Sequence, residues 1–298
     1  MVHNRVSFHD QIARNKRNSV FLILAVALVL VGLVYIIGFV MGGDVFIISI
    51  IATIFSLTYI LITYHQSSKI ALWSVNAKLA SPEKYSQYHH LVEGLCLASG
   101  MPKPKLYVME NAQINAFATG KNPQESVICV TTGCLEKLNK HELEGVLAHE
   151  LAHIANYDIR FMTLTAILVG LISIIAQVFL RTLFWSSMFG GRRSGGGGKG
   201  GAILMIISII LAILAPIFVM LVQLAISRKR EYVADATAVK FVRSPTGLIG
   251  ALKKIRGNHE MKVPQAVAPL FLSQPAKNSA IFSTHPPLEK RIQVLEKM

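Results

Sequence analysis

Two histidines lie four residues apart in the stretch His149-Glu150-Leu151-Ala152-His153, and a glutamate directly follows the first. On a helix, residues i and i+4 share a face one turn apart, so both imidazoles can reach a single ion. Glu150 stands beside that pair, where a carboxylate can accept a proton from water. The spacing therefore indicates a divalent metal site and metal-assisted hydrolysis of a peptide bond.

The residues around this motif predict a helix that packs against a core. Apolar side chains recur at helical spacing and leave the histidine pair beside an apolar face: Leu143, Val146, Leu147, Leu151 and Ile154. Asn139, with Glu142 three residues later, has the pattern of a capping box, which places the helix start just before the motif. A surface helix with two solvated histidines would not have this apolar face.

Composition indicates an integral membrane protein. Of 298 residues, 52% are hydrophobic and only 15% are charged, which suggests that much of the chain faces lipid. About 20 helical residues cover the ~30 Å hydrocarbon core of a bilayer. Four uncharged runs have about that length: Ser19–Val40, Val45–Thr63, Phe161–Leu180 and Ala202–Ile226. We therefore expect a mainly α protein with four transmembrane helices.

The positions of these runs predict five regions. A cytoplasmic tail (1–18) is followed by a transmembrane hairpin (19–65), a cytoplasmic metalloprotease domain (66–160), a second hairpin (161–227) with a Gly-rich loop (186–201), and the rest of the catalytic domain (228–298). Basic residues before the first run and after the fourth place both on the cytoplasmic side. Basic residues in the Gly-rich loop oppose this topology, so a second hairpin that does not fully cross remains an alternative.

The formal net charge of +14 bears on the partners of the chain. Basic segments beside membrane runs are explained by anionic lipid headgroups, and no nucleic-acid-binding motif is present in the sequence. We expect membrane lipid as a partner and no nucleic acid. A transporter is disfavoured, since none of the four runs contains a charged residue.

The stretch before the motif has the pattern of a soluble α+β domain. Ser81-Pro82 is expected to open a helix that Gly100 closes, and residues 104–109 and 126–130 are expected to be strands. Between these strands, residues 114–120 alternate in polarity. This segment is either an exposed strand edge that pairs with a substrate or an inner strand with Phe117 in the core.

A catalytic zinc needs a third protein ligand besides the two histidines. A third histidine at metzincin spacing is missing, because Ile159 occupies that position. Glu231 follows the fourth apolar run, and an antiparallel hairpin of the last two runs would return it to the level of the histidines. Asp235 shares its helical face and could support a ligand. The alternative is a surface face salt-bridged with Arg228 and Lys229.

With these residues the sequence resembles the HtpX-type heat-shock membrane metalloproteases, which are related to the CAAX prenyl endopeptidases. The resemblance covers nearly the whole chain, although the long glycine run is not part of the shared pattern. It includes the two N-terminal apolar runs, the segment Asn115 to Gly120, the motif helix continuing into Asn156 and Asp158, the pair Glu231 and Asp235, and Thr284-His285-Pro286.

The resemblance implies a metal centre with defined roles. It implies a gluzincin-type α+β catalytic domain that is continuous with the third and fourth spans. One Zn²⁺ ion per chain is expected to be bound by His149, His153 and Glu231, with Glu150 as the general base. Asp235 is expected to hold a ligand histidine by its other ring nitrogen.

The resemblance also assigns roles around this centre. Asn156 and Asp158 are expected to lie behind the metal ligands. His285 matches a family histidine that approaches the reacting carbonyl, and its alternative is a loop histidine that caps the final helix. Asn115 and Ala116 match the positions that bind the substrate strand.

The function implied is membrane protein quality control under stress. Family members degrade misfolded or damaged membrane proteins on the cytoplasmic side of the bacterial inner membrane, and we expect the same activity and multi-pass location here. Two alternatives stay open: a site-specific processing protease for membrane or lipidated proteins, and a non-proteolytic chaperone with a structural zinc. The intact Glu150 disfavours the chaperone, since a structural site needs no base.

Overall fold

The computed structural model describes residues 44–163, 230–256, 267–273 and 285–298, together with isolated positions between 17 and 35 and at 209, 228, 261, 263 and 264. The first, third and fourth apolar runs and the Gly-rich loop lie largely or wholly outside these residues. The described part of the catalytic domain is a mixed α+β fold.

A four-stranded sheet forms the centre of this domain. Its strands are β1 (Lys78–Leu79), β2 (Lys105–Met109), β3 (Ala116–Gly120) and β4 (Ser126–Thr131), in the spatial order β1-β2-β4-β3. β2 and β4 are parallel, whereas β3 runs antiparallel to β4 with Phe117 opposite Cys129. The two predicted strands are confirmed as β2 and β4. For the segment 114–120 the sequence left two alternatives, an exposed strand edge or an inner strand. It forms β3, which is the last strand of the sheet, and all five residues of β3 are buried.

Two apolar clusters cover the two faces of the sheet. One joins alternate strand residues such as Ile128 and Val130 to the helices that carry the motif. The other contains Phe117, Val127 and Cys129 and is covered by Ala71, Leu72 and Phe271. Because side chains alternate along a strand, a single strand such as β4 supplies both cores.

Helix α1 (Val45–Ser74) is 30 residues long and begins at Asp44, whose carboxylate accepts from the backbone N–H groups of Phe46 and Ile47. Many described apolar side chains along it are exposed, including Phe46 at 74% and Ile54 at 60%. Counting only positions that the structure describes, no helix reaches the length and hydropathy needed to cross a membrane.

Helix α2 (Ser86–Ser99) begins five residues later than the Ser81-Pro82 pattern predicted. Residues 82–84 form a turn instead, in which the Tyr85 N–H donates to the Ser81 carbonyl. The predicted end is confirmed: Gly100 has a φ of 70° and donates its N–H to the Cys96 carbonyl, a left-handed cap that glycine adopts readily.

The predicted motif helix is confirmed as α4 (Lys140–Ala155), which follows the short α3 (Thr132–Lys137). The capping box is present, because the Asn139 side chain accepts from the Glu142 N–H while the Glu142 carboxylate accepts from the Asn139 N–H. α4 ends at Asn156, and residues 158–163 form a further helix, α5, to the last position described there.

After residue 229 the described part of the chain contains three further helices: α6 (230–242), α7 (Thr246–Arg256) and α8 (Leu288–Leu295). α4 packs closely on α7 at Gly145, where a Cβ atom would collide with the Leu248 backbone N. A 3-10 turn at Ala268–Leu270 leads into residues 271–273, which lie beside β3.

Candidate active site

Helix α4 turns both motif histidines toward one point inside the domain. His149 is 0% exposed and His153 is 4% exposed. Their Nε2 atoms lie 3.1 Å apart, and the two rings meet edge to face. One turn of helix therefore brings the two ring nitrogens to one point, as the spacing of the motif predicted.

Glu231 on α6 meets the same point from a separate helix. Its Oε2 atom is 3.6 Å from His149 Nε2, and its Oε1 atom is 3.6 Å from His153 Nε2. These three buried side chains each offer a ligand atom to one small volume. Although Glu231 and His149 are far apart in sequence, the packing of α6 beside α4 brings them together.

Each histidine is held by a carboxylate on its other ring nitrogen. His149 Nδ1 lies 2.9 Å from Asp235 Oδ1, and His153 Nδ1 lies 3.1 Å from Asp158 Oδ2. A carboxylate accepts a hydrogen bond from Nδ1 and so directs the Nε2 lone pair away from itself. Both Nε2 atoms are thereby oriented toward Glu231.

The atoms that converge here fit a divalent cation. Two neutral Nε2 atoms and two carboxylate oxygens are all acceptors, and acceptors 3.1 to 3.6 Å apart in a buried site repel one another unless a cation or proton lies between them. Ligands about 2.0 to 2.1 Å from a tetrahedral ion lie roughly 3.3 Å from each other, which the observed separations resemble.

The electrostatics of His149 show how strongly this point attracts positive charge. Burial and the nearby Arg291 lower the pKa of His149, but hydrogen bonds to Asp235 and Glu231 outweigh them and raise it to about 9. A proton thus occupies the Nε2 position at neutral pH when nothing else does. A metal ion competes with that proton, as is general for histidine ligands.

Glu150 lies on the same helix turn as His149 and is 1% exposed. Burial raises its pKa, while the neighbouring His149 and His153 act in the opposite direction. A carboxylate with a raised pKa is a stronger base than an exposed one. This is the electrostatic setting that a general base requires.

His285 reaches the same cluster from the segment before α8. Its Nε2 atom is 3.6 Å from Glu231 Oε1, and its ring is 5% exposed. Burial lowers the pKa of His285 to about 4, against the opposing effect of Glu231, so the ring is neutral at pH 7. A neutral imidazole at this position can donate one hydrogen bond to a developing oxyanion.

Arg291 on α8 is a site residue that the sequence did not reveal. It is 0% exposed, and its Nη2 and Nε atoms donate to the two oxygens of Asp235 at 2.7 and 2.9 Å. Its Nη1 atom lies 3.2 Å from Glu231 Oε2. One guanidinium therefore fixes a metal-ligand candidate and the carboxylate that orients another. It also accounts in part for the low pKa of Asp235, which these contacts maintain despite burial.

A signal for Arg291 does exist in the pattern of α8. Leu288, Ile292 and Leu295 recur at helical spacing on the face that turns inward, and Arg291 falls on that same face. An arginine in an apolar stripe has to find a buried acidic partner. Glu289 and Lys290 directly precede Arg291 and are typical of a solvated surface. For that reason the sequence did not indicate that Arg291 is buried.

The remaining predicted residues lie on two sides of the cluster. Asn156 caps α4 and is 1% exposed, and its backbone N–H donates to the Ala152 carbonyl. Asn115 and Ala116 lie at the start of β3, where their polar groups contact residues 272 and 273 of the same chain. The structure thus brings all predicted site residues into one buried region or onto the adjoining sheet edge.

A buried H-E-x-x-H helix, completed by a glutamate from a second helix and supported by an aspartate four residues later, defines the class as a gluzincin-type metallopeptidase. Residues 82–298 match the sequence profile of Peptidase family M48. The chain is 47% identical over 253 residues to a protease HtpX homolog of Caldanaerobacter subterraneus subsp. tengcongensis, covering 84% of each chain. It is 43% identical over 298 residues to a protease HtpX homolog of Thermoanaerobacter pseudethanolicus, covering 99% of each. The chain belongs to peptidase family M48 and is a metalloprotease.

The fold is also similar to a solved structure. The crystal structure of S. mikatae Ste24p aligns with a TM-score of 0.50 and 20% identity, over 90% of this chain and 61% of that protein. The chain therefore spans less than two thirds of Ste24p, and the likeness concerns the fold.

Proposed function

We propose that the protein is a zinc-dependent endopeptidase of the bacterial inner membrane that cleaves misfolded or damaged membrane proteins on the cytoplasmic side. The observation that carries this proposal is the convergence of His149, His153 and Glu231 in one buried volume, with Glu150 beside them. Two imidazoles and one carboxylate are the ligand set of catalytic zinc sites that keep a position for water.

The chain's own residues supply the proton transfers. Bound in this site, zinc would supply a Lewis acid that polarises the scissile carbonyl and makes water nucleophilic at neutral pH. Glu150 takes a proton from the attacking water and passes it to the leaving amine. The neutral His285 donates a hydrogen bond to the carbonyl oxygen as it becomes negative. Arg291 and Asp235 keep Glu231 and His149 in position during these transfers.

The position of α1 supports a location at the membrane. Its described apolar side chains are exposed along much of its length, whereas Ala71 and Leu72 at its end pack under the catalytic sheet. The apolar helix thus leads directly into the core of the catalytic domain. Such a site would reach extended segments that emerge from a bilayer before it could reach folded domains.

Two experiments test the proposal. Purified protein in detergent should contain about one zinc per chain and should cleave casein, while Glu150→Gln should keep the metal and lose the cleavage. For the membrane substrate, the protein in liposomes should cut a reporter with one span and an unfolded tail, but not the same span followed by a stable folded domain. A chaperone without protease activity would leave both substrates intact, and a site-specific processing protease would cut neither casein nor unrelated tails.

A further inference from the structure

Residues 271–273 of the same chain lie along the outer edge of the sheet, beside β3. The Leu272 N–H donates to the Ala116 carbonyl at 2.8 Å, and Phe271 forms an antiparallel bridge with Phe117. The Asn115 amide donates to the Ser273 carbonyl at 3.0 Å and accepts from the Ser273 N–H at 3.2 Å. Residues 271–273 therefore lie against β3 as an added antiparallel strand.

The groups used by this segment are those a substrate strand needs. A peptide bound at the edge of β3 would pair with the Ala116 carbonyl and with the Asn115 amide, and both are engaged by Leu272 and Ser273. Residues 271–273 and a substrate that forms the same hydrogen bonds cannot occupy the β3 edge at the same time. Strand addition at this edge is thus possible only after residues 271–273 leave it.

Arg291 connects the segment to the candidate metal ligands. Its Nη1 atom donates to the Leu272 carbonyl at 3.3 Å and lies 3.2 Å from Glu231 Oε2. The same Arg291 nitrogen therefore contacts both the Leu272 carbonyl and a candidate metal ligand. A carbonyl of any strand in this place would meet the same donor.

The side chains of the segment also fill defined places. Phe271 is 0% exposed and meets the Phe117 ring edge to face, with 4.9 Å between centroids. Leu272 is 2% exposed and packs in the cluster on the opposite face of the sheet. A strand that replaced the segment would bury most surface if it carried an aromatic residue followed by an aliphatic one.

We propose that residues 271–273 are an internal stand-in for substrate: in the free protein they occupy the β3 edge, and a peptide with an aromatic residue followed by an aliphatic one displaces them and takes over their bonds to Ala116, Asn115 and Arg291. This proposal rests on the proposed endopeptidase function and adds a substrate preference and a self-inhibited resting state. The bound segment lowers the affinity for every substrate by the same factor.

The first experiment compares Ser273→Pro with Ser273→Ala in casein cleavage. Proline has no N–H and removes the hydrogen bond to Asn115, whereas alanine keeps it and loses only the hydroxyl, whose contact with the Asn115 amide is long at 3.5 Å. Loss of one hydrogen bond corresponds to roughly two- to tenfold, so the KM of Ser273→Pro should fall by about that factor with kcat unchanged. Ser273→Ala should match the parent. A raised KM or a lost activity in Ser273→Pro would show that the segment is a permanent part of the fold.

The second experiment measures hydrogen exchange in Glu150→Gln, which should bind but not cleave. The probe is a synthetic heptapeptide with the sequence of residues 267–273, and the control peptide has aspartate in place of its phenylalanine and second leucine. Amides of residues 271–273 should exchange faster with the probe and be unchanged with the control. Unchanged exchange at saturating probe, or no binding of the probe to Ser273→Pro, would overturn the proposal. Failure of the parent to cleave casein would instead count against the endopeptidase function itself.

Discussion

Replacing Asp235 by asparagine preserves the shape of the side chain but removes the charge on which three contacts depend. Asp235 Oδ1 accepts from His149 Nδ1 at 2.9 Å and from Arg291 Nη2 at 2.7 Å, while Oδ2 accepts from Arg291 Nε at 2.9 Å. An amide has only one acceptor oxygen, and its NH₂ group would face a donor of either His149 or Arg291. At least one of the three hydrogen bonds must therefore be lost.

Two effects of Asp235→Asn follow from its burial. Removing one partner of a buried ion pair costs about 3 to 5 kcal/mol of folding free energy. Loss of the residue that orients a metal-bound histidine weakens metal affinity by about 10- to 100-fold, or roughly 1.4 to 2.8 kcal/mol. Both effects should appear together, because Arg291 and His149 share the same carboxylate.

The assay is competition for zinc with a chromophoric chelator, combined with thermal unfolding in detergent. Glu289→Gln is the matched control, since this glutamate is exposed on the same helix as Arg291 and its loss changes the net charge equally. The control should keep the zinc affinity and unfolding temperature of the parent. If Asp235→Asn also kept its zinc affinity within twofold, the inference that Asp235 positions His149 would be wrong.

Four further predictions concern the same centre. Glu150→Gln should lower casein cleavage by about 10²- to 10⁴-fold, as expected for a general base, with zinc content unchanged by metal analysis. Glu231→Ala should lose zinc together with activity on dialysis against a weak chelator, whereas a surface glutamate would lose neither. Because burial raises the pKa of Glu150 and a base must be ionised, kcat/KM should fall as pH drops through that raised pKa, at a higher pH than for an ordinary glutamate, which a pH–rate profile would measure. Gly145→Ala should lower the unfolding temperature, since its Cβ meets the backbone of Gly247 and Leu248 on α7, while Gly94→Ala, with open space at its Cβ, should not.

The parts of this fold that could be predicted are those with local causes. The start of α4 is specified by two side chains within four residues, and the metal-facing pair by a spacing of one helical turn. The end of α2 follows from a glycine in a conformation that other residues adopt with strain. Glu231 and Asp235 follow from the return of the last hairpin and from a shared helical face, but only the family resemblance sets aside the alternative of a solvated face.

The parts that could not be predicted depend on contacts between distant segments. Residues 271–273 pair with β3 across more than 150 residues, and nothing in either segment specifies the other. The turn at 82–84 does not continue into α2, because the backbone of Tyr85 leaves the helical conformation with a φ of −121° and a ψ of 41°. Arg291 was missed since its local surroundings are charged, although its face of α8 is apolar.

The number of buried carboxylates near the candidate metal site explains why both Arg291 and a bound cation are expected there. Four carboxylates are at most 2% exposed in this region, namely Glu150, Asp158, Glu231 and Asp235, and Arg291 is the guanidinium that contacts two of them. Burying so many anions close together is costly without compensating positive charge. A divalent ion held by Glu231 and two neutral histidines would supply part of that charge. Arg291 supplies another part of it, because it contacts Glu231 and Asp235, and its Nη2 atom also lies 3.4 Å from His149 Nε2. Arg291 and a bound ion would therefore share the compensation of these buried carboxylates.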